Sequence, residues 1–231
     1  MYDDLLDEIK NVYKENQKKR RDAISIFASG YFSRAQANEQ RLWSKLYDDT
    51  PLGPKVHNGI RNYVLKTSVR CAYCQDRIFH NANFNIDHVL PSAIFPQFTF
   101  TPQNLVAACV TCNAIKKETN FYTATSCMSQ YPLANYSWGS FHPKLHLYND
   151  HIRMIFIHTN HFAVRAFMGK SPEGVNLCKN FLKEVTEFTT KSPANPSIAH
   201  AVDSLQNFIS SYAIQPGTNL QNILNQLIKY V

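Results

Sequence analysis

No stretch of this 231-residue chain approaches the roughly 20 consecutive apolar residues that a membrane-spanning helix needs. The opening Met1-Tyr2-Asp3-Asp4-Leu5-Leu6-Asp7-Glu8 has neither the basic start nor the apolar run of a secretory leader. There is no internal repeat and no low-complexity tract. Cysteine is scarce: of six, Cys71/Cys74 and Cys109/Cys112 form two close pairs, and Cys127 and Cys178 stand alone. Without a leader, such a set suits metal binding in a reducing cytoplasm better than a disulfide framework. Acidic residues are also few, 17 against 24 basic ones, for a net charge of +7. That balance fits a polyanionic partner and equally an ordinary basic surface. The expectation is a cytoplasmic protein with no membrane association.

What the chain does contain is an apolar fraction of 44% and an aromatic fraction of 13%, enough for a folded core. Leu5, Leu6, Ile9, Val12 and Tyr13 recur at helical spacing and predict a helix over 2–28, ending past the run Lys18-Lys19-Arg20-Arg21. Gly30 reads as a break and Ser33 as the N-cap of a helix to Leu46. A third helix is expected over 55–65. Lys55, Arg61 and Lys66 on or beside it suit either bound nucleic acid or a plain surface. Arg77-Ile78-Phe79 and Phe84-Asn85-Ile86 read as a hairpin whose second strand ends at Asp87-His88. A short helix is expected from Asn113 to about Asn120, a loop over 121–150, and a second hairpin from Ile152–Phe156 and Phe162–Phe167. Helices are expected at 173–189, 197–213 and 218–230. The last carries Leu220, Ile223, Leu224, Leu227 and Ile228 on one stripe. These elements give an α+β class in three parts: a helical extension over 1–66, a central module over 67–123, and a hairpin with helices over 124–231.

Each Cys-x-x-Cys turn aims two thiolates at one point, and two such turns with 34 residues between them can close a tetrahedral site. Cys71, Cys74, Cys109 and Cys112 therefore predict a structural Zn²⁺ that pins both ends of the central module. A redox dithiol explains one pair but not both. Between the knuckles stand Asp87 and His88, and directly after the second stands Asn113. A carboxylate is a hard ligand for Mg²⁺. A neutral imidazole with a pKa of about 6.5 can take a proton from water. Neighbouring strand residues face opposite ways, but a strand end or bulge can aim both at one site. Taken singly, His88 and Asp87 suit structural roles, Asn104 an Asx-turn and Asn113 a helix cap.

The ordered run Cys71-x-x-Cys74, Asp87-His88-Val89-x-Pro91, Asn104-Leu105, Cys109-x-x-Cys112-Asn113-x-x-Lys116 resembles the HNH endonuclease family in its cysteine-stapled subgroup. The resemblance covers about 50 residues. It implies a treble-clef-like ββα-metal core that hydrolyses DNA phosphodiesters. It also implies His88 as general base and Asn104 orienting it by a hydrogen bond. Asp87 and Asn113 would hold a catalytic Mg²⁺ or Mn²⁺, and Lys116 and Lys117 would meet phosphate. Two departures stand out: Asn113 replaces the usual third histidine, and Ser92-Ala93 follows Pro91 where Gly-Gly is common. Farther on, Phe141-His142-Pro143 and Asp150-His151-Ile152 are similar to HNH proteins of bacterial anti-phage systems. Those are the Septu-type and retron-associated PtuB-like nucleases, which work with an ATPase partner. One active site cuts one strand, so double-strand cleavage implies a homodimer or a second event. The competing expectation is a zinc-stapled module that binds nucleic acid or protein without cutting.

Overall fold

The structure is a computed structural model that describes residues 2–12, 17–49, 51–78, 83–158 and 163–190. The predicted helices at 197–213 and 218–230, and the stripe from Leu220 to Ile228, lie outside the described residues. The class is α+β: helices with two separate two-stranded antiparallel sheets. The chain divides into two compact units, one of residues 1–138 and 142–145, the other of 139–141 and 146–231. No helix of the described residues is long and apolar enough to cross a membrane.

In the first unit, four helices form a bundle: α1 (Tyr2–Val12), α2 (Lys18–Gln36), α3 (Leu42–Asp48) and α4 (Gly53–Thr67). Leu5, Ile9, Ile24, Ala28, Tyr31, Leu42, Leu46, Val56, Ile60 and Val64 are buried together. α1 lies close on α4 because residue 59 is glycine; a Cβ there would come 2.9 Å from Ile9 Cγ1. Three sequence expectations are corrected here, the first being the single helix over 2–28, which is interrupted at Gln17, the extended residue before α2. Gly30 sits inside α2 with open space around it, and Ser33 is an interior residue whose hydroxyl bonds the Ser29 carbonyl. The buried stripe Ile24, Ala28, Tyr31, Ala35 runs straight through residue 30. The roughly 1 kcal/mol that glycine costs a helix is small beside that burial. The chain turns instead at Asn38 and Arg41, both with left-handed φ near 60°.

The same core extends onto a small sheet. β1 (Phe84–His88) pairs antiparallel with β2 (Leu105–Cys109) in register from Phe84↔Cys109 to His88↔Leu105. Helix α5 (Val110–Lys116) follows β2 without a linker, capped by Cys109, whose sulfur accepts the Cys112 amide. The expected hairpin partner of β1 was 77–79, and this is corrected. Among the described residues Arg77 forms a single bridge, to Arg70, across the base of the first knuckle. The winning partner is the buried run Leu105–Ala108, which supplies Leu105 and Ala107 to the core beside Phe84 and Ile86. The short α5 therefore starts at Val110, before the expected Asn113.

In the second unit, α6 (Tyr148–His151) leads into β3 (Ile152–His158), which pairs with β4 (Ala163–Gly169), as the sequence predicts. A helical run follows: α7 (Pro172–Leu177), a π turn over Cys178–Leu182 and α8 (Lys183–Thr190). Ser171 caps it by accepting the Gly174 amide.

Candidate active site

The four paired cysteines converge. Their sulfurs all lie within 4.8 Å of one another, and Cys74 Sγ is 3.7 Å from Cys109 Sγ. A tetrahedron of thiolates at the usual zinc–sulfur length of ~2.3 Å has an edge of ~3.8 Å, whereas a disulfide would be ~2.0 Å. All four are free thiols, and the set fits a tetrahedral Zn²⁺. The crowding polarises them. Cys109 is pulled down by hydrogen bonds from Cys112, Cys71 and Cys74, while Cys74 and Cys112 are pushed up by their neighbours. The first knuckle turns at Gln75, with φ 61°, and the Ala72 amide donates to the Ala107 carbonyl at 2.8 Å. Staple and sheet are thus one body.

Asp87 and His88 are the last two residues of β1, and the Lys116 ammonium bonds both the Asp87 carboxylate and the His88 carbonyl. Asp87 turns toward the knuckle and α5. Tyr73 Oη donates to its Oδ2 at 2.5 Å, and Lys116 Nζ donates to its Oδ1 at 3.2 Å. Burial pushes the Asp87 carboxyl up, while Lys116 and Tyr73 oppose that shift. Burial and Asp87 also raise Tyr73 well above the usual phenol range, which keeps it a donor.

His88 turns toward the helical core. Its ring meets Trp43 edge-on, with centroids 5.0 Å apart. Its Nε2 lies 2.9 Å from the Thr99 carbonyl. A carbonyl only accepts, so Nε2 carries the proton and Nδ1 keeps its lone pair. Burial pushes the imidazole down to about 4; the Thr99 bond opposes this and the Lys116 charge adds to it. The ring is therefore neutral at pH 7, with one nitrogen able to accept a proton.

Asn104 is fully buried, and its side chain makes no hydrogen bond to His88 among the described residues, contrary to the expectation of a direct bond. Its Oδ1 accepts the Leu90 amide at 2.7 Å and the Tyr131 hydroxyl at 3.2 Å. Its Nδ2 donates to the carbonyls of Leu90 and Phe98, both at 3.0 Å. Asn104 thus clamps the two ends of the loop after β1. The next residue after Phe98 is Thr99, whose carbonyl holds His88, so the influence on His88 is indirect.

Lys116 is also corrected. It is 0% exposed, and its ammonium is committed to Asp87 and, at 2.7 Å, to the His88 carbonyl, so no phosphate can reach it. Lys117, with left-handed φ of 49°, is exposed. Asn113 is half-buried one helical turn before Lys116, on the face of α5 that meets Asp87. Its side chain makes no hydrogen bond among the described residues. Beside its donors Tyr73, Lys116 and the His88 amide, the Asp87 carboxylate keeps lone-pair capacity for a cation. A carboxylate and an amide oxygen make a hard donor set that fits Mg²⁺ or Mn²⁺. Of the other basic residues singled out, Lys18, Lys19, Arg20 and Arg21 are exposed on α2. Lys66 pairs with Glu8 at 2.5 Å. Arg61 lies over the Phe84 ring and bonds its carbonyl, and so is structural.

Sequence reasoning missed Tyr73, Trp43, Thr99 and Tyr131. Tyr73 carried a signal, since a tyrosine inside a knuckle sits beside whatever the staple packs on. Thr99 carried none, because any residue supplies a carbonyl. No curated protein and no solved structure matches the chain. Residues 71–121, which hold both knuckles, β1, the clamped loop, β2 and α5, match the family model described as HNH endonuclease.

Proposed function

We propose that this protein is a metal-dependent HNH endonuclease that hydrolyses DNA phosphodiester bonds, with its core at 67–123. The observation that carries the reading is the geometry of His88: its Nε2 is tied to the Thr99 carbonyl, which makes Nδ1 the nitrogen that can accept a proton. His88 is the general base that takes a proton from water as it attacks phosphorus. A base with a fixed tautomer and a fixed ring plane avoids reorganisation at the moment of transfer. Asp87 and Asn113 hold the catalytic cation; bound there, Mg²⁺ or Mn²⁺ would stabilise the charge that develops on the phosphate and the leaving oxygen. Asn104 keeps the loop that orients His88. The four cysteines hold a structural zinc that fixes α5, and with it Asn113, against β1. Lys117 and the α2 run Lys18–Arg21 are exposed cations suited to the DNA backbone.

A narrower reading, the nuclease effector of a bacterial anti-phage system with an ATPase partner, rests on Phe141-His142-Pro143 and Asp150-His151-Ile152 alone. The test of the main reading is plasmid relaxation with Mg²⁺ or Mn²⁺, with and without EDTA, for the wild type and Asn113→Ala. The Asn113 side chain has no hydrogen bond to lose among the described residues, so the variant should keep its fold and its zinc while activity drops. Full cutting by Asn113→Ala, or cutting in EDTA, overturns the cation assignment. DNA binding without any cutting under all conditions favours the zinc-stapled binding module.

A further inference from the structure

His142 lies outside the segment that resembles a nuclease, yet it is completely buried. Its ring is packed 4.2 Å from Trp138 and 6.0 Å from Tyr122, centroid to centroid. We infer that His142 and Tyr131 form a positioning relay that fixes the Asn104 amide, and through it the loop that orients His88. The proposal rests on the reading of His88 as the base.

The hydrogen bonds have one consistent direction. The Lys144 amide donates to His142 Nδ1 at 3.2 Å, so Nδ1 carries no proton. In a neutral ring the proton is then on Nε2, which lies 2.7 Å from Tyr131 Oη. With a donor occupying that oxygen from the histidine side, the Tyr131 hydroxyl proton points to Asn104 Oδ1, 3.2 Å away. Asn104 Oδ1 also takes the Leu90 amide, while its Nδ2 serves the Leu90 and Phe98 carbonyls. A carboxamide is nearly symmetric in shape, so its orientation depends on donors placed on the oxygen side. Tyr131 supplies one, and its ring also braces Phe98 edge-on at 5.2 Å. From the same strap, Lys144 Nζ donates to the Pro102 carbonyl at 2.8 Å, two residues before Asn104. Residues 142–145 belong to the unit that holds β1 and β2, which is what this relay requires. His142 touches no reacting atom; it acts on the loop and the loop acts on His88.

The test uses the full zinc-bound chain with Tyr131→Phe, His142→Ala, His142→Gln and the double variant Tyr131→Phe/His142→Ala. Two readouts are taken: kcat and KM for plasmid nicking, and amide hydrogen exchange at Leu90. Tyr131→Phe removes one oxygen atom. It should lower kcat about three- to tenfold, the factor of one buried hydrogen bond, with KM within about twofold. Leu90 exchange should quicken by a similar factor while the β2 amides hold. His142→Gln, which keeps an N–H donor, should recover most of what His142→Ala loses. The double variant should be no worse than the weaker single. Unchanged kcat and unchanged Leu90 exchange in Tyr131→Phe overturn the relay, as do additive losses in the double variant. Should His142→Ala fail to fold, Tyr131→Phe still decides. If the wild type cuts no DNA but Leu90 responds as described, the relay stands and the nuclease reading falls. If it cuts and Leu90 does not respond, the relay alone falls.

Discussion

Lys116→Met removes the only ammonium beside Asp87 among the described contacts and leaves the side-chain volume nearly unchanged. Lys116 is 0% exposed and Asp87 6%, so neither group can turn to water for a replacement partner. The variant strands a buried carboxylate on the Tyr73 hydroxyl and a His88 carbonyl without its donor. Breaking a buried pair by deleting one partner costs about 3–5 kcal/mol. A domain holds only about 5–15 kcal/mol in total, so the variant sits near its threshold. The loss depends on pH with a definite sign. Burial already raises the Asp87 pKa and Lys116 opposes it, so removal raises it further. A carboxyl whose folded pKa lies above its unfolded value of about 3.9 binds protons more tightly when folded. Stability is then full below about pH 4 and declines as pH rises through the raised value. The deficit should be smaller at pH 5 than at pH 8. Urea unfolding followed by Trp43 and Trp138 fluorescence, with zinc and no other divalent cation, reads it as a shift in midpoint at constant slope. Adding Asp87→Asn to Lys116→Met should recover most of the loss. A deficit below about 1 kcal/mol at pH 8, equal at pH 5 and not recovered, would refute the picture of a buried ion pair.

Other consequences are simpler to read. Cys109→Ser should lower bound zinc from about one per chain to none, measured by metal analysis, and should unfold the central module, since Cys109 belongs to the four-cysteine cluster and also caps α5. Asn104→Ala deletes four hydrogen bonds in a fully buried place and should cost about 2–4 kcal/mol in chemical denaturation, with kcat falling further than KM changes. Tyr73→Phe should cost about 1.5–3 kcal/mol, the worth of a hydrogen bond to a charged group, in the same assay. Lys117→Ala should leave stability unchanged and reduce the slope of log K against log salt for duplex DNA by about one unit.

The sequence made the staple legible because thiolate spacing is a local property: two Cys-x-x-Cys turns carry their geometry with them. It made the β3–β4 hairpin and the helical run that follows it legible for the same reason, as local runs of apolar residues in the sequence. It placed the strand ending at Asp87-His88 but not its partner, because pairing is decided by which distant apolar run fills the core. Leu105 and Ala107 fill it beside Phe84 and Ile86. Ser33 and Gly30 misled because local cap and break signals lost to the buried stripe of α2. In the site, residue types were readable and directions were not. Nothing in Asp87-His88 says that Tyr73 and Lys116 hold the one and Thr99 and Trp43 the other. Nothing in Asn104 says that it holds a loop and not a ring. Lys116 looked like a surface cation because burial of a lysine is expensive and seldom expected; here a carboxylate and a carbonyl offset the cost.

The central claim is that His88 is the base, and plasmid nicking by His88→Ala measures it most directly. The comparison is made at pH 7–8 with Mg²⁺, on protein shown to keep its zinc and its melting behaviour. The account predicts a drop in kcat of about 10²- to 10⁴-fold, with DNA affinity little changed. Cutting by His88→Ala at the wild-type rate would contradict it.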